Sequence, residues 1–430
     1  MENTTGYTTK PGPLSHITVL DFTWVLTGPH ATKHLADMGA NVIKAEMYNS
    51  GSAERAFPYR VDNQSVMQSS YSINVNRGKR SICVNLKNPK GKEIIRGLIK
   101  KSDIIMENFA PGVMKKLGFD YEAVKEIKED IVYCSISCFG HWGPFSHKPG
   151  YDIIAQSYSG WIGQTDPPTQ APVSIGDMNA SMHATTAILA ALLHRKEAGI
   201  GQNIDISMTD CLFSLHENTL PWYLITSAID DPVQPSRVGR HHPGYAPYGV
   251  YHGKNGEISI AILTDNRWLP LLDVMGPKYD WMRDDPRCAS VATRCTQANC
   301  HVVHDALEEW VMSQESVEEV ERLLDEAGVP CMRVRGVVEL ADTDEHIKAR
   351  EMMVTIDQPF IGPMKMYGSP LKFSETPSGV RGYAPFVGEH NAEVLSEILG
   401  YSKDEVASLY EDDILYHEPA VELLQEEKKS

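Results

Sequence analysis

The sequence predicts an α/β protein with a large Rossmann-like domain and a smaller α+β domain. Over the first half of the chain, buried strand patterns alternate with amphipathic helix patterns. Each strand–helix–strand unit spans about 30 residues, which implies a parallel strand pair with a right-handed crossover. A Pro- and Gly-rich stretch at 230–248 then leads into hairpin and helix patterns, as a linker between domains does.

The elements of the large domain follow in chain order. Runs of β-branched and apolar residues predict strands, and apolar residues spaced three to four apart predict helices. Strands are expected at 16–23, 41–46, 81–85, 103–107, 130–136 and 203–207, and helices at 31–38, 89–101, 182–194 and 210–225. The turn at 23–29 is not Gly-x-Gly-x-x-Gly, so a dinucleotide is not the expected ligand of this sheet.

The second half of the chain is predicted to be a separate small domain followed by a return segment. An Asn-Gly pair at 255–256 predicts a β-hairpin. Helices are expected at 267–275, 302–312, 317–327, 391–399 and 403–410, a strand at 329–334, and irregular structure at 340–387. These patterns divide the chain into a large domain at 1–225, a small domain with its linker at 226–340, and a segment at 341–430 that packs on the large domain.

The charge balance excludes several classes of partner. The 430 residues include 40 Lys and Arg against 57 Asp and Glu, a net charge of −17. Nucleic acids and anionic membranes need a basic face, so neither is an expected partner. The chain has no run of about 18 apolar residues, and its N-terminus lacks the basic and apolar regions of a signal peptide. We therefore expect a cytoplasmic enzyme.

The cysteine pattern indicates a reducing compartment and no metal site. The eight cysteines are scattered and form no compact disulfide framework. Cys295, Cys300, His301 and His304 lie close together in the sequence, but Cys-x-x-Cys spacing is absent. Because a structural zinc site normally shows such spacing, we expect no metal here.

The segment 172–181 contains the candidate catalytic residue. Asp177 follows Gly176 at the start of an apolar helix, where the helix dipole and unpaired backbone N–H groups favour a charged carboxylate. An ionised carboxylate can act as a nucleophile. Asn179 or Ser181 can cap the helix, so Asp177 is not needed for that purpose. The alternative is an ordinary acidic residue near a helix start.

Several segments together resemble one family, the class III CoA-transferases of the formyl-CoA transferase and carnitine CoA-transferase type. The similarity runs from about 14 to about 410 with its spacing preserved. The segments are VLDFT at 19–23 with Gly28-Pro29, GANVIKAE at 39–46, NRGKRSI at 76–82, ENFAPG at 107–112, PGYDIIAQ at 149–156, GDMN at 176–179, GIGQ at 199–202 and GEHN at 388–391.

The resemblance implies an activity and a mechanism. Asp177 falls where the family has its catalytic aspartate, so its carboxylate is expected to attack an acyl-CoA thioester. A mixed anhydride and then an aspartyl-CoA thioester would follow, and a second carboxylic acid would collect the CoA. Backbone N–H groups and the helix end would stabilise the oxyanion. No permanently bound cofactor is expected, since the CoA thioester is itself a substrate.

The resemblance also implies where CoA binds. In the family, the contacts come from the ends of the early strands. The matching positions are Leu26, Thr27, Val84, Asn85, Leu86, Lys87, Asn108, Phe109, Ala110, Lys116, Tyr151 and Asp152. Lys87 and Lys116 are the phosphate candidates, with solvated surface lysines as the alternative. Phe109 could instead be core, and the cluster of Arg77, Lys79 and Arg80 could be a solvated turn.

Three departures from the family pattern bear on the substrate. Met47 stands where some members have an arginine near the adenosine, and Leu26 replaces a glutamine of formyl-CoA transferase. A run of glycines in that enzyme is replaced here by the sequence RHHPGYAPYG at 240–249. We therefore expect a carboxylic acid bulkier than formate or oxalate.

Two other functions and one assembly state are to be compared with the structure. An α-methylacyl-CoA racemase would need a histidine near position 151, where this chain has Tyr151, a poor base at neutral pH. A non-catalytic acyl-CoA-binding protein would not need Asp177. The family forms interlocked homodimers, and the long linkers around 225–250 and 335–385 fit such an assembly.

Overall fold

The computed structural model describes residues 8–58, 60–63 and 66–427, which form two compact units. The large unit contains the described residues up to Ser159, then Ala171–Leu215, and those from Glu345 onward. The small unit contains Gly160–Gln170 and His216–Asp344. The chain thus leaves the large unit twice and returns twice. Nothing in the composition of 160–170 predicts that this segment belongs to the small unit.

The strands and helices of the described residues are numbered in chain order. The strands are β1 Thr18–Asp21, β2 Asn41–Glu46, β3 Arg60–Asn63, β4 Val66–Ser69, β5 Arg80–Cys83, β6 Ile104–Glu107, β7 Val132–Ser137, β8 Gln202–Ser207, β9 Tyr248–Gly253, β10 Gly256–Ala261, β11 Cys331–Arg333, β12 Met353–Gln358 and β13 Gly362–Tyr367. The helices are α1 Thr27–Asp37, α2 Ser70–Asn76, α3 Pro89–Lys101, α4 Val113–Leu117, α5 Tyr121–Ile127, α6 Asp152–Tyr158, α7 Ile175–Ala198, α8 Met208–Phe213, α9 Thr219–Ser227, α10 Trp268–Met275, α11 Trp281–Asp284, α12 Val291–Arg294, α13 Cys300–Ser313, α14 Val317–Glu326, α15 Val337–Thr343, α16 Glu345–Ala349, α17 Asn391–Val394, α18 Lys403–Glu411 and α19 Ala420–Glu427.

The large unit is built on a six-stranded sheet with the order β5-β2-β1-β6-β7-β8. Every neighbouring pair is parallel. Counted along the chain, these are the third, second, first, fourth, fifth and sixth strands of the sheet, which is the Rossmann order. The predicted Rossmann-like parallel sheet is therefore confirmed. Ligands of such sheets bind beyond the carboxyl ends of the strands where the order reverses, which here lies between β1 and β6.

The sequence patterns that predicted the sheet and its helices act through burial. In α3, Ile94, Ile95, Leu98 and Ile99 are buried on one face, and Asn88 caps the first turn by accepting the Lys90 N–H at 2.9 Å. The bounds of α3 and β2 match the predicted ones. Such a helix is held to the sheet by its apolar stripe, which is why its spacing could be recognised in the sequence.

The helix that contains Asp177 is longer than predicted. α7 begins at Ile175 rather than 182, so Asp177 lies inside its first turn. The helix ends before Gly199, whose φ of 72° is the left-handed conformation expected of a C-terminal glycine. The predicted helix at 210–225 was wrong as a single element, because α8 ends at Phe213 and α9 begins only at Thr219.

The small unit contains a three-stranded antiparallel sheet, β11-β10-β9. The predicted hairpin is confirmed, with Lys254 and Asn255 between its strands. Helices α10, α13 and α14 bury Leu271, Leu307 and Val320 in its core. The expectation of irregular structure at 340–387 was wrong, since α16 and the β12–β13 hairpin lie there. Helix α19 was not predicted.

Candidate active site

The turn between β1 and α1 lies at the point where the strand order reverses. Asn108, which follows β6, holds Trp24 through two hydrogen bonds. Its Oδ1 accepts the Trp24 N–H at 2.9 Å and its Nδ2 donates to the Trp24 carbonyl at 2.9 Å. Glu54 accepts the next N–H, that of Val25, also at 2.9 Å. Side chains distant in sequence therefore fix the backbone of this turn.

The same turn contains a strained residue. Val25 has a φ of 64°, in the left-handed region that β-branched residues rarely adopt. Lys44 adds a further restraint by donating to the Thr23 carbonyl at 2.7 Å. Strain of this kind persists where surrounding contacts over-determine the backbone, and it is common at functional sites.

Helix α1 begins directly after this turn and packs against α7 through polar side chains. The hydroxyl of Thr27, the first residue of α1, donates a hydrogen bond to Asp177 Oδ1. One turn further along, His30 Nδ1 lies 2.7 Å from Ser181 Oγ. The reversal point of the sheet and the first turn of α7 are thus joined by α1.

Asp152 caps α7, although it belongs to α6. Its Oδ1 accepts the Gly176 N–H at 2.7 Å and the Asp177 N–H at 3.4 Å, and its Oδ2 accepts from Gln156 at 2.6 Å. The expectation that Asn179 or Ser181 caps the helix was wrong, because both lie within it. A side chain at position 176 would place its Cβ 2.9 Å from Asp152 Oδ1, so glycine makes room for the cap.

The surroundings of Asp177 shift its titration. The pKa of Asp177 is raised to about 6 as the net result of three influences: burial raises it most, the hydrogen bond from Thr27 lowers it, and the carboxylate of Asp152 raises it. At neutral pH the carboxylate is still mostly ionised, as expected of a nucleophile. Tyr71 faces it from α2, and burial together with the charge of Asp177 raises the pKa of Tyr71. Tyr71 therefore stays protonated at neutral pH.

A cavity of about 630 Å³ opens beside the β1–α1 turn. Five of the residues expected to contact CoA line it: Val84, Asn85, Leu86, Lys87 and Phe109. The departure noted at Met47 also lies on its wall. Its other wall residues include Thr23, Trp24, Tyr48 and Ser52. Its volume lies within the usual range for a small-molecule site.

Two aromatic rings form one side of this cavity. The ring centroids of Trp24 and Phe109 lie 6.1 Å apart with an interplanar angle of 39°. Lys87 lies on the wall of the cavity and is exposed, and its backbone N–H donates to Asn85 Oδ1 at 3.1 Å. The arrangement offers a flat apolar slot next to a cation. Trp24 was missed as a site residue, although it lies in the turn at 23–29 that the sequence singled out.

The other predicted CoA contacts lie elsewhere in the large unit. Leu26 is buried in the turn, and Asn108 holds that turn through its hydrogen bonds to Trp24. Thr27 contacts Asp177 and Asp152 caps α7, and neither lines the cavity. Ala110 lines a separate cavity of about 260 Å³, and Lys116 is an exposed residue of α4. Tyr151 is 68% exposed just before α6.

The basic cluster at 77–80 has structural partners. Arg77 is fully buried and pairs with Asp37 at 3.2 Å, and Lys79 is buried and pairs with Asp21 at 3.0 Å. Arg80 contacts glutamates of the C-terminal segment. The reading of this cluster as a solvated turn was wrong, because two of its three cations lie in the interior.

Three of the four residues considered as a metal cluster have other partners. Cys300 Sγ lies 3.1 Å from the Pro243 carbonyl, and Cys295 lies against Ala246. His304 bonds Tyr251 through Nδ1 at 2.8 Å. Within the described ranges, no group of three or more His, Cys, Asp or Glu side chains could hold a metal ion. No helix among those residues is both long and apolar enough to cross a membrane.

Comparison with known proteins adds a family and several relatives. A family model described as CoA-transferase family III matches residues 14–391, a span that includes Asp177 and all the predicted CoA contacts. The chain is 35% identical over 397 residues to a succinyl-CoA:mesaconate CoA-transferase of Haloarcula marismortui, which covers 90% of this chain and 96% of the relative. It is 32% identical over 418 residues to a formyl-CoA:oxalate CoA-transferase of Streptomyces avermitilis, covering 94% and 99%.

A solved structure has the same architecture. The crystal structure of a CAIB/BAIF family protein from Brucella suis superposes with a TM-score of 0.76 at 30% sequence identity. The match covers 90% of this chain and 100% of that one.

Proposed function

The chain belongs to CoA-transferase family III, and we propose that it moves CoA between carboxylic acids through covalent intermediates on Asp177. As a class III CoA-transferase it acts on acyl-CoA thioesters and carboxylates. The observation that carries the mechanistic proposal is the environment of Asp177. Among the described residues its carboxylate forms no ion pair, burial raises its pKa to about 6, and a neutral hydroxyl donates to it. A carboxylate held in this way remains able to attack.

The proposed reaction alternates between two kinds of acyl bond. An oxygen of Asp177 attacks the thioester carbonyl, the carbon–sulfur bond breaks, and its electron pair leaves as CoA thiolate. The thiolate then attacks Cγ of Asp177, which releases the first acid and leaves an aspartyl-CoA thioester. The second acid attacks Cγ in turn, expels the thiolate again, and the thiolate takes the new acyl group. No proton or external reductant is needed.

We infer that the cavity of about 630 Å³ binds the nucleotide end of CoA. Trp24 and Phe109 supply flat apolar surfaces for an adenine ring, and Lys87 supplies a cation for a phosphate. Met47 occupies a wall position of the cavity and cannot donate a hydrogen bond. Replacing Phe109 by Ala is expected to weaken CoA binding by about tenfold, since stacking on an aromatic ring contributes about 1–3 kcal/mol.

We propose a dicarboxylic acid larger than oxalate as acceptor. The names of two relatives contain mesaconate and oxalate, both dicarboxylates. The departures at Leu26 and at 240–249 favour a larger acid than oxalate. Transfer rates from succinyl-CoA to oxalate, mesaconate, glutarate and monocarboxylic acids of matched length would rank these classes. Preference for oxalate or for the monocarboxylic acids would contradict the assignment.

We also propose a homodimer, interlocked as in the family. Helices α6 and α7 expose Ile153, Ile154, Met182 and Leu193, and Trp142 nearby in sequence is 81% exposed. Apolar side chains in such number on adjacent helices are typical of an interface. Light scattering is expected to give twice the chain mass, which Leu193→Glu should lower.

The unpaired state of all eight cysteines favours the expected cytoplasmic location.

Mass spectrometry tests the covalent mechanism. After incubation with succinyl-CoA and no acceptor, a CoA adduct is expected on the peptide that contains Asp177, and none in Asp177→Asn. A racemase would instead exchange the α-proton of a branched acyl-CoA with deuterated water and leave the protein unmodified. A binding protein would do neither. Either of those results would contradict the proposal.

A further inference from the structure

The mechanism above requires an oxyanion site at Asp177 itself. In two steps of the proposed mechanism, first the CoA thiolate and then the second carboxylic acid attack Cγ of Asp177. Negative charge then develops on the side-chain oxygen that remains as the carbonyl oxygen. Catalysis of such steps needs a hydrogen-bond donor already aimed at that oxygen. The start of a helix would usually supply backbone N–H groups for this purpose.

The backbone donors of α7 are already occupied. Two of its first four N–H groups, those of Gly176 and Asp177, donate to Asp152. The N–H of Ile175 donates to the Val173 carbonyl at 2.7 Å, and that of Met178 to the Ser174 carbonyl at 2.9 Å. The helix end therefore does not present a spare donor to Asp177 in this arrangement, contrary to the sequence-based expectation.

The Thr27 hydroxyl is the donor that does contact the carboxylate. We propose that Thr27 is a catalytic residue that holds Asp177 Oδ1 and stabilises the oxyanion formed there when Cγ is attacked. The inference rests on the proposed covalent mechanism. With Oδ1 held by the hydroxyl, the other oxygen of Asp177 is left to attack the thioester. Once acylated, the side chain still has an oxygen that accepts the same hydrogen bond, so the contact persists through the cycle.

The protein maintains this contact through the turn that precedes Thr27. Val25 is held at a φ of 64° while Glu54 binds its N–H, and Asn108 holds both polar groups of Trp24. Glu54 is fixed in turn by Lys44 at 3.3 Å. Three buried or partly buried polar side chains thus restrain the two residues that determine where α1 starts. A hydroxyl aimed by such a framework is preorganised, as an oxyanion donor must be.

The test compares Thr27→Val, which keeps the shape and loses the hydroxyl, with Thr27→Ser, which keeps the hydroxyl. Succinyl-CoA is added without acceptor, and formation of the Asp177 adduct is followed by rapid quenching and mass spectrometry. We expect adduct formation to slow by about 10- to 100-fold in Thr27→Val, the effect of losing one hydrogen bond to a charged group. Thr27→Ser is expected to stay within about threefold of the wild type, since it retains the donor.

A second readout separates catalysis from folding and from CoA binding. Although the family resemblance made Thr27 an expected CoA contact, it does not line the proposed CoA cavity, so the affinity for CoA, measured by calorimetry, is expected to be unchanged in both variants. The pH at which kcat/KM falls to half should move upward in Thr27→Val only, because the hydrogen bond from Thr27 lowers the pKa of Asp177. Asp152, Tyr71 and Cys138 also face Asp177 and are unchanged in these variants.

Three results would overturn the role of Thr27. They are unchanged adduct formation in Thr27→Val, an equal loss in both variants, which loss of the hydroxyl could not explain because Thr27→Ser retains it, or a loss of CoA affinity that accounts for the slower rate. Failure of the proposed function looks different, because the wild-type protein would then form no adduct on Asp177 at all.

Discussion

Two carboxylates of the large unit, the buried Glu46 and the half-buried Asp177, have opposite environments. Glu46, at the end of β2, receives two hydrogen bonds from Arg55, at 2.6 and 2.7 Å, and one from Ser81 at 2.6 Å. Burial by itself raises the pKa of Glu46, but the guanidinium of Arg55, together with Lys44 and Ser81, outweighs it and brings the pKa to about 2. Asp177 has a hydroxyl instead of a cation, and burial raises its pKa to about 6.

The pKa is lowered at the more deeply buried Glu46 and raised at the half-buried Asp177, so the hydrogen-bonding and charged partners decide what each carboxylate can do. If Glu46 were acylated, the buried charge of Arg55 would lose its closest partner and keep the more distant Glu418 at 3.9 Å, at a cost of several kcal/mol. Acylation of Asp177 leaves only the Thr27 hydroxyl, which can donate to the acyl oxygen as well as to the carboxylate. Burial that opposes the ionised form of Asp177 also favours the neutral acylated form. An acyl carrier therefore benefits from having no cation beside it.

The largest effect is expected from removing the proposed nucleophile, Asp177. Asp177→Asn keeps the shape of the side chain and should lower the rate of CoA transfer by about 10⁴-fold or more, as losses of catalytic nucleophiles do. Asp210→Asn is the matched control, because Asp210 also lies in the first turn of a helix, α8, but is exposed. Steady-state transfer assays on both variants measure the effect. Comparable activity in the two would refute the assignment of Asp177.

The second largest effect is expected from removing the charge of Glu46. Glu46→Gln removes the partner that binds Arg55 through two hydrogen bonds and leaves the more distant Glu418, at 3.9 Å, so it should lower the free energy of unfolding by about 3 kcal/mol. Glu393→Gln removes an exposed partner of Arg80 and should change it by less than about 1 kcal/mol. Urea unfolding at pH 7 measures both. If Glu46→Gln lowered the free energy of unfolding as little as Glu393→Gln, the contrast drawn between Glu46 and Asp177 would be wrong.

The effect of Glu46→Gln on stability should also depend on pH. The pKa of Glu46 is lowered on folding from 4.5 to about 2, so its ionised form stabilises the folded state. That contribution is complete above about pH 4.5 and is lost as the pH falls through about 2. The destabilisation in Glu46→Gln should therefore shrink in this window.

The sheet could be predicted from the sequence because its signals are local, and Asp177 could be proposed as the nucleophile because the family pattern spans the chain. The alternation of strands and helices identified the parallel sheet, and β2 and α3 were predicted with their observed bounds. Asp177 was identified from the GDMN pattern and its spacing from other segments. The residues at 84–87 and Phe109 follow strand ends, and the edge of a parallel sheet brings such positions together.

The partners of the charged residues could not be predicted in the same way. Arg77 pairs with Asp37, 40 residues away, and Lys79 with Asp21, 58 residues away. Asp152 caps a helix that starts 23 residues after it. A local charge pattern cannot indicate such contacts, because they form only when separate helices and strands pack. For the same reason the occupied N–H groups of α7 became evident only in the structure.

A smaller expected effect is that the proposed nucleophile, Asp177, lowers the stability of the folded protein. The pKa of Asp177 is raised on folding from 3.8 to about 6, so ionisation opposes folding. Stability is greatest below about pH 3.8 and decreases as the pH rises through about 6. Asp177→Asn should therefore raise the free energy of unfolding at pH 7.5 by about 2 kcal/mol, a gain that disappears below about pH 4. Urea unfolding at both values measures it, and a loss of stability at pH 7.5 would contradict the raised pKa.

The smallest expected effect is on the pH profile and concerns Asp152. Attack requires ionised Asp177, so kcat/KM for the acyl-CoA donor should fall about tenfold per unit below about pH 6. Asp152→Asn keeps an oxygen that can accept the Gly176 N–H but removes the negative charge that raises the pKa of Asp177. The acid limb should then move to lower pH by a fraction of a unit, while Asp210→Asn leaves it in place. A shift to higher pH would mean that loss of the cap, rather than of charge, dominates. The position of the acid limb thus measures how much the charge of Asp152 raises the pKa of Asp177 when, among the described residues, no cation is paired with either. At Glu46, by contrast, the cation Arg55 lowers the pKa.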